Sequence, residues 1–596
     1  MSTEHSNPPH EPVHQNGVGG SSTAEQLPSG LFPGGGLPPG RALMEYALDT
    51  WQRSVLYADV MRQRGNQYQA HLAEDVPNVL DFPSEVIVSG QDLPRPVNYW
   101  LVRIVPPKDQ PTDLTKRPFV VIDPRAGHGP GIGGFKVDSE VGVLIDAGHP
   151  CYFIGFLPDP VPGQTIEDVM HAQAAFMEKV LELHPCREGK PAVIGNCQAG
   201  WQILMTAAMR PELFGPIIVA GAPLSYWAGW RGRDPMRYTG GLLGGSWLTA
   251  MTSDMGAGRF DGAWLVQNFE NLNPANTLWS KQYHLYSNID TEAPRYLGFE
   301  KYWGGYVYLN DAEMQYIVDN LFIGNRLATA GLITSDGERI DLRNIRSPIV
   351  VFCSYGDNIT PPPQALGWIT DLYENDEDVL THDQTIIYAT HDSVGHLGIF
   401  VSGAVSRKEH HKFATNIDLI DVVPAGTYRA TIADSTQNKG AVHELSIEPA
   451  RIADLRDIVQ PDPESDRRFA AMAQISKTNL AMYRKFVQPW VRQAVTPQTA
   501  HWLQTMHPLR LSYEWWSDRN PFAPMIADTA EKIREQRAPA AQDNPFLHAQ
   551  AAWSDTIVKT LNLWRDVRDD AYEKMFEWTY SSPWVQALAE IGRAHV

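Results

Sequence analysis

Cysteine is scarce. Cys151, Cys186, Cys197 and Cys353 are the four in 596 residues, too few and too scattered for a secreted disulfide framework, and their spacing fits no zinc pattern. A reducing, cytoplasmic setting is expected, with no metal and no cofactor required. Long apolar runs are missing too. Nothing approaches the roughly 18 continuous apolar residues of a membrane span, and the first twenty residues lack the basic-then-apolar order of an export signal. The expectation is a non-exported protein without a transmembrane segment. Positive charge is in deficit, 49 Lys and Arg against 69 Asp and Glu, and the formal charge of -20 opposes binding to nucleic acid or to an anionic membrane surface.

What is present is apolar material for one large core, with further helices outside it. Residues 1–40 are rich in Ser, Gly, Pro, Asn and His and cannot bury enough apolar area to offset ordering entropy, so they read as a disordered lead. Met44, Leu48, Trp51, Val55 and Tyr57 then recur at helical spacing, which predicts an amphipathic helix to about Arg64 within a helical segment over 41–90. From 91 to 405 short β-branched runs alternate with helical patterns, the mark of a mainly parallel sheet with crossover helices. Strands are predicted at Val97–Val105, Phe119–Ile122, Tyr152–Phe156, Ala192–Ile194, Ile217–Ala220, Ile349–Cys353 and Thr385–Ala389. Thr165 followed by Asp168 marks the start of a helix whose apolar face runs from Ile166 to Leu183.

An interval at about 226–346 breaks the alternation with Trp, Tyr, Gly and Asn, as a cap or lid inserted between two strands does. A connecting segment at 406–447 includes Ile417–Ile432, which could form two strands. From 448 to 596 apolar residues recur at helical spacing, giving an α-helical C-terminal region. The expected architecture is an α/β-hydrolase fold with an inserted cap and a helical extension.

The chemistry centres on Ala192-Val193-Ile194 running into Gly195-Asn196-Cys197-Gln198-Ala199-Gly200 and then a helical pattern. This is strand, sharp turn, helix, with a potential nucleophile at the turn. The small residues let strand and helix approach closely, and the positive end of the helix dipole at Cys197 favours the thiolate. The Gln198 N–H becomes a candidate oxyanion donor. A buried structural cysteine is the bland alternative. Asp357 follows the late strand at Gly356-Asp357-Asn358-Ile359-Thr360-Pro361, where a plain turn aspartate is the competing reading. His396 follows the next strand between Gly395 and Gly398, with His391 as rival. The chain order nucleophile, acid, histidine is the one this fold requires. Imidazole removes the thiol proton, and the carboxylate fixes its tautomer and stabilises the cation. The glycine-rich loop Asp123–Gly134 offers Arg125 and Ala126 as further backbone oxyanion donors, or is simply a flexible turn. Cys151, Cys186 and Cys353 are expected to be inert. The Trp and Tyr residues of the insertion read as core, although a lid over an acyl chain would use the same types.

These residues resemble those of the polyhydroxyalkanoate synthases, which carry cysteine in place of serine in a lipase-like box. They are also similar to bacterial proteins often labelled 3-hydroxyalkanoate synthetases. The resemblance rests on Gly195-x-Cys197, Gly356-Asp357-x-Ile359-x-Pro361 and Gly395-His396, over roughly residues 90–405. It implies transfer of 3-hydroxyacyl groups from coenzyme A thioesters through Cys197, with His396 as base and Asp357 as acid. Two departures stand out: Ala199 where the synthase box has glycine, and Asn358 where the synthases have histidine. The helical tail has no synthase counterpart. Expected partners are an acyl-coenzyme A or ester substrate, a second copy of the chain as a homodimer, and a polymer-granule surface. A cysteine-dependent thioesterase, esterase or depolymerase, and a non-catalytic granule scaffold, are the alternative functions.

Overall fold

The computed structural model describes residues 39–185, 187–434 and 443–587. The expected disordered lead lies outside these residues up to position 38, as does Cys186. The last two positions of the lead open helix α1, Pro39–Leu72, which runs two turns past the predicted end.

Ten strands form the main sheet: β1 (Ser84–Ser89), β2 (Tyr99–Ile104), β3 (Phe119–Ile122), β4 (Cys151–Phe156), β5 (Ala192–Asn196), β6 (Ile217–Ala220), β7 (Ile349–Ser354), β8 (Thr385–His391), β9 (Gly426–Asp434) and β10 (His443–Pro449). Their spatial order is β1-β2-β4-β3-β5-β6-β7-β8-β9-β10. The pairs from β4 through β3 and β5 to β9 are parallel; β1 with β2, β2 with β4, and β9 with β10 are antiparallel. Antiparallel leading strands, a crossover that places β4 beside β2, and a parallel run onward define the α/β-hydrolase fold.

All seven predicted strands are present, and their continuous apolar composition follows from burial on both faces. The sheet nevertheless exceeds the expected 91–405 at both ends. β1 lies in the stretch expected to be helical. Pro83 halts the preceding chain, and Glu85-Val86-Ile87-Val88 then pairs along the sheet edge. At the other end Ile417–Asp421 is a short helix rather than a strand. The strand starts only after Pro424, at Gly426, whose φ of 147° suits glycine.

Helices cover both faces. α2 (Glu140–Asp146) packs beside β3 and β4, while α3 (Ile166–Leu183) and α4 (Gln198–Met209) lie together on the opposite side. α3 begins with the predicted capping box: the Asp168 N–H donates to Thr165 Oγ1 at 3.2 Å, and the Thr165 N–H donates to Asp168 Oδ2 at 3.0 Å.

Between β6 and β7 the chain leaves the sheet to build the cap. Short helices there are joined by two small two-stranded antiparallel ribbons, Arg259–Asp261 with Tyr308–Asn310 and the hairpin Leu332–Ile333 with Arg339–Ile340. The C-terminal helices hold the cap from outside through buried charge. Arg510 makes two bonds to Asp261, at 2.7 and 2.9 Å. Glu300 receives Arg64 from α1 at 3.3 Å, Lys281 at 3.1 Å and the Tyr513 hydroxyl at 2.8 Å. Burial opposes charge on Glu300, but Lys281 and Arg64 hold its carboxyl below the usual range. Among the described residues no helix is long and apolar enough to cross a membrane, and no group of His, Cys, Asp or Glu is arranged to hold a metal ion.

Candidate active site

Strand β5 delivers Cys197 to the carboxyl edge of the sheet. The residue has φ 48° and ψ -119°, a conformation that non-glycine residues adopt only when the surroundings impose it. Two features impose it here. The Cys197 N–H donates to the Ala220 carbonyl at 2.8 Å, tying the turn to β6. Gly195 and Gly200 let α4 lie directly against β5: a Cβ on Gly200 would stand 2.4 Å from the Ala222 Cβ, and one on Gly195 would stand 3.0 Å from the Gly200 Cα.

The other two residues follow β7 and β8, the second and third strands along the sheet from β5. Asp357 follows β7, and its Oδ1 accepts from the N–H groups of Ile359 at 2.8 Å and Thr360 at 2.9 Å, which fixes the carboxylate. Its Oδ2 lies 2.7 Å from His396 Nδ1, and His396 Nε2 lies 3.2 Å from Cys197 Sγ. The structure therefore brings Cys197, His396 and Asp357 into one hydrogen-bonded line. All three are enclosed, with exposures of 6, 7 and 3%. Burial opposes charge on the imidazole, but the Asp357 carboxylate and the Cys197 sulfur outweigh it and push His396 up to about 10. His391 is not part of this line: its Nδ1 accepts from the Ser393 and Val394 N–H groups, both at 3.1 Å, and shapes the turn.

The oxyanion candidates divide. The Gln198 N–H is first in α4 and has no intrahelical acceptor. The Arg125 N–H has no acceptor among the described residues. Ala126 is a correction: its N–H turns onto the Pro124 carbonyl at 3.0 Å and is already engaged. The Arg125 side chain is engaged elsewhere, in a buried pair with Glu313 at 2.6 Å and a bond to the Tyr308 carbonyl at 2.7 Å, which ties this loop to the cap. Cys151 and Cys353 are buried, and burial raises both thiols. Of the two departures from the synthase pattern, Ala199 is wholly buried in α4 and Asn358 is exposed.

Three further groups surround the elbow that the sequence did not single out. Asp123 stands one residue beyond the Ile122–Gly195 register pair of β3 and β5, beside the elbow. Tyr302 descends from the cap, buried, and its hydroxyl lies 2.9 Å from Nε2 of the equally buried His128. Burial, together with the nearby His396 charge, lowers His128 to about 4, so its ring is neutral. Tyr302 and Trp303 of the cap belong to the same buried apolar cluster as Cys197. A cavity of about 180 Å³ lies elsewhere, between Trp230, Arg237, Asp371 and Asp466, and no member of the Cys–His–Asp line borders it.

Strand order and elbow together place the chain in the α/β-hydrolase class, with Cys197 at the elbow. More narrowly, the chain belongs to the family described as protein of unknown function DUF3141, whose profile matches residues 49–595. A relative, the uncharacterized protein in the ackA 5′ region of Rhizobium meliloti, is 59% identical over 552 residues, spanning 92% of this chain and 75% of its own. Among solved structures, a putative lipase from Acinetobacter baumannii overlays with TM-score 0.32 at 11% identity, covering 61% of this chain and 97% of that one. The monoacylglycerol lipase of Paleococcus ferrophilus overlays with TM-score 0.31 at 13% identity, covering 51% of this chain and 96% of that one. Overlays this loose add nothing to the strand order.

Proposed function

We propose that this protein is a cysteine-nucleophile acyltransferase that takes an acyl group from a thioester onto Cys197 and passes it to a hydroxyl. The observation that carries the reading is the continuous line from Asp357 through His396 to Cys197. In the first half, Sγ attacks the donor carbonyl with its proton held on His396 Nε2. The Gln198 and Arg125 N–H groups face the developing oxyanion. The donor C–S bond breaks, and the leaving thiol receives the proton from His396. In the second half an acceptor hydroxyl gives its proton to His396 as its oxygen attacks the acyl carbon, and Cys197 leaves and is reprotonated.

Sulfur favours this over simple ester hydrolysis, because exchange between two thioesters is nearly balanced and leaves the acyl group activated. The enclosure of Cys197 works in the same direction by keeping water out. The resemblance to polyhydroxyalkanoate synthases extends the proposal to 3-hydroxyacyl-coenzyme A donors. The test is intact-protein mass spectrometry after mixing with 3-hydroxybutyryl-coenzyme A. The expected result is an acyl adduct on Cys197, absent in Cys197→Ala, followed by oligomeric product. Release of free hydroxy acid without oligomer would assign a hydrolase instead, and no adduct under any condition would remove the nucleophile.

A further inference from the structure

Beside the reacting line, on the α2 side of the sheet, three buried polar side chains take no part in the mechanism above: Asn196, Glu140 and His410. Asn196 stands between Gly195 and Cys197 as the last residue of β5, and its Nδ2 donates to Glu140 Oε2 at 2.7 Å. Glu140 opens α2. The glycine-rich loop closes over this bond. A Cβ on Gly133 would stand 2.5 Å from Glu140 Oε2 and 3.2 Å from Asn196 Nδ2, and the Val141 N–H donates to the Gly133 carbonyl at 2.8 Å.

On its other side Glu140 meets His410, with Oε1 3.3 Å from Nε2. The same nitrogen lies 2.8 Å from the Ile399 carbonyl, which can only accept, so Nε2 carries a proton and presents its positive end to both oxygens. Ile399 belongs to the short helix His396–Val401, whose first residue is the imidazole of the reacting line. The His410 ring also packs edge-on against Phe352 of β7, the strand that Asp357 follows, with centroids 5.8 Å apart.

Such a connection has a task. Cys197 Sγ and His396 Nε2 are 3.2 Å apart but 199 positions distant in the chain. The strand ladders do not reach either residue: the β5–β6 register ends at Asn196 and the β7–β8 register at His391. Asn196, Glu140 and His410 join the residue before the sulfur to the helix that begins with the imidazole. We propose that these three side chains form a buried brace that sets the separation of Cys197 Sγ and His396 Nε2, and that they are positioning residues. The inference rests on the reading of Cys197 as a nucleophile paired with His396.

The test is the pH profile of Cys197 alkylation by iodoacetamide in the full-length protein, with peptide mass spectrometry to separate Cys197 from the other three cysteines. A thiolate paired with an imidazolium titrates below the roughly 8.5 of a free cysteine, so the wild-type midpoint should lie below that value. The principal variant is Asn196→Leu with Glu140→Met. It removes both partners of the bond together and strands neither, so its stability stays close to that of wild type. Without the brace the midpoint should rise by about one pH unit, so that below both midpoints Cys197 reacts about tenfold more slowly, while near about pH 9 the two rates agree within a few-fold. His410→Phe keeps the ring against Phe352 but loses the N–H, and should shift the midpoint in the same direction. His410→Gln, whose amide N–H₂ can donate to the Ile399 carbonyl, should bring it back toward wild type. A folded double variant with an unchanged midpoint overturns the brace, as does an equal fall in rate at every pH, which is what a purely structural role produces. Should the double variant not fold, the His410 pair decides, and equal midpoints in His410→Phe and His410→Gln overturn the brace. A wild-type midpoint near 8.5 rejects the paired nucleophile itself, and this inference with it.

Discussion

Substituting Gly200 by alanine tests whether close approach of α4 to the sheet holds the cysteine in place. Gly200 sits in the first turn of α4. An added Cβ would lie 2.4 Å from the Ala222 Cβ, whereas carbons in good contact sit about 3.5–4.0 Å apart, a shortfall of about 1.1–1.6 Å. Neither atom has a rotamer to retreat into, so the helix must move. Two effects of opposite sign compete. In an unobstructed helix the change gains about 1 kcal/mol. Overpacking a dense core costs about 1–3 kcal/mol. With so large a shortfall the upper part of that range applies, for a net loss of about 1–2 kcal/mol. A displacement near 1 Å also breaks the 3.2 Å approach of Sγ to His396, and misplacement on that scale costs about a hundredfold in rate. Urea unfolding should show a lower midpoint with unchanged slope, and iodoacetamide should modify Cys197 more slowly by a factor of that order. Adding Ala222→Gly in the same chain removes the obstructing methyl and should restore most of both, less the roughly 0.8 kcal/mol of one buried methyl group. A Gly200→Ala protein with a raised midpoint, or an Ala222→Gly change that deepens the loss, refutes the tight-contact account.

Asp357→Asn should keep its oxygen on the Ile359 and Thr360 N–H groups and turn its N–H₂ toward His396, forcing the proton onto Nε2 where it cannot accept from the thiol. Adduct formation should fall by about 10⁴. A ¹⁵N-histidine NMR titration should show His396, which the Asp357 carboxylate holds above the usual imidazole range, deprotonating at lower pH in the variant; an unchanged titration contradicts the role given to Asp357. Glu313→Gln strands the buried Arg125 charge and should cost about 3–5 kcal/mol in urea unfolding, whereas Arg125→Met combined with Glu313→Leu should be close to neutral. Equal losses in the single and double variants would show that the pair is not buried as described.

The elbow was legible because its information is contiguous. Gly195, Cys197 and Gly200 announce a strand turning sharply into a helix, and Asp357 and His396 each follow a strand whose apolar run is unmistakable. Tyr302 and His128 carried no such signal: they meet across 174 positions, and in sequence one is an aromatic among many and the other a histidine in a glycine-rich loop. Asp123 was hidden for a different reason, since a polar residue at a strand end reads as a turn until its complete burial is seen. The Ala126 assignment failed on a single peptide orientation, which no sequence pattern encodes. β1 and β10 were missed because edge strands are largely exposed, so their residues lack the apolar continuity of the central strands.

Helix α1 has a consequence for how the chain reaches this state. Its inner side chains, Leu56, Val60 and Met61, bury themselves against Ala530 and Ile533, and Arg64 reaches the Ser512 carbonyl 448 positions later. During synthesis this helix leaves the ribosome long before any of those residues exists, so its apolar stripe must wait in water or be shielded by a chaperone. Such distant closure makes maturation slow and couples early residues to the last quarter of translation. Nonsense mutations near residue 500 should therefore yield polypeptides that aggregate through their N-terminal portion, even with the sheet already complete.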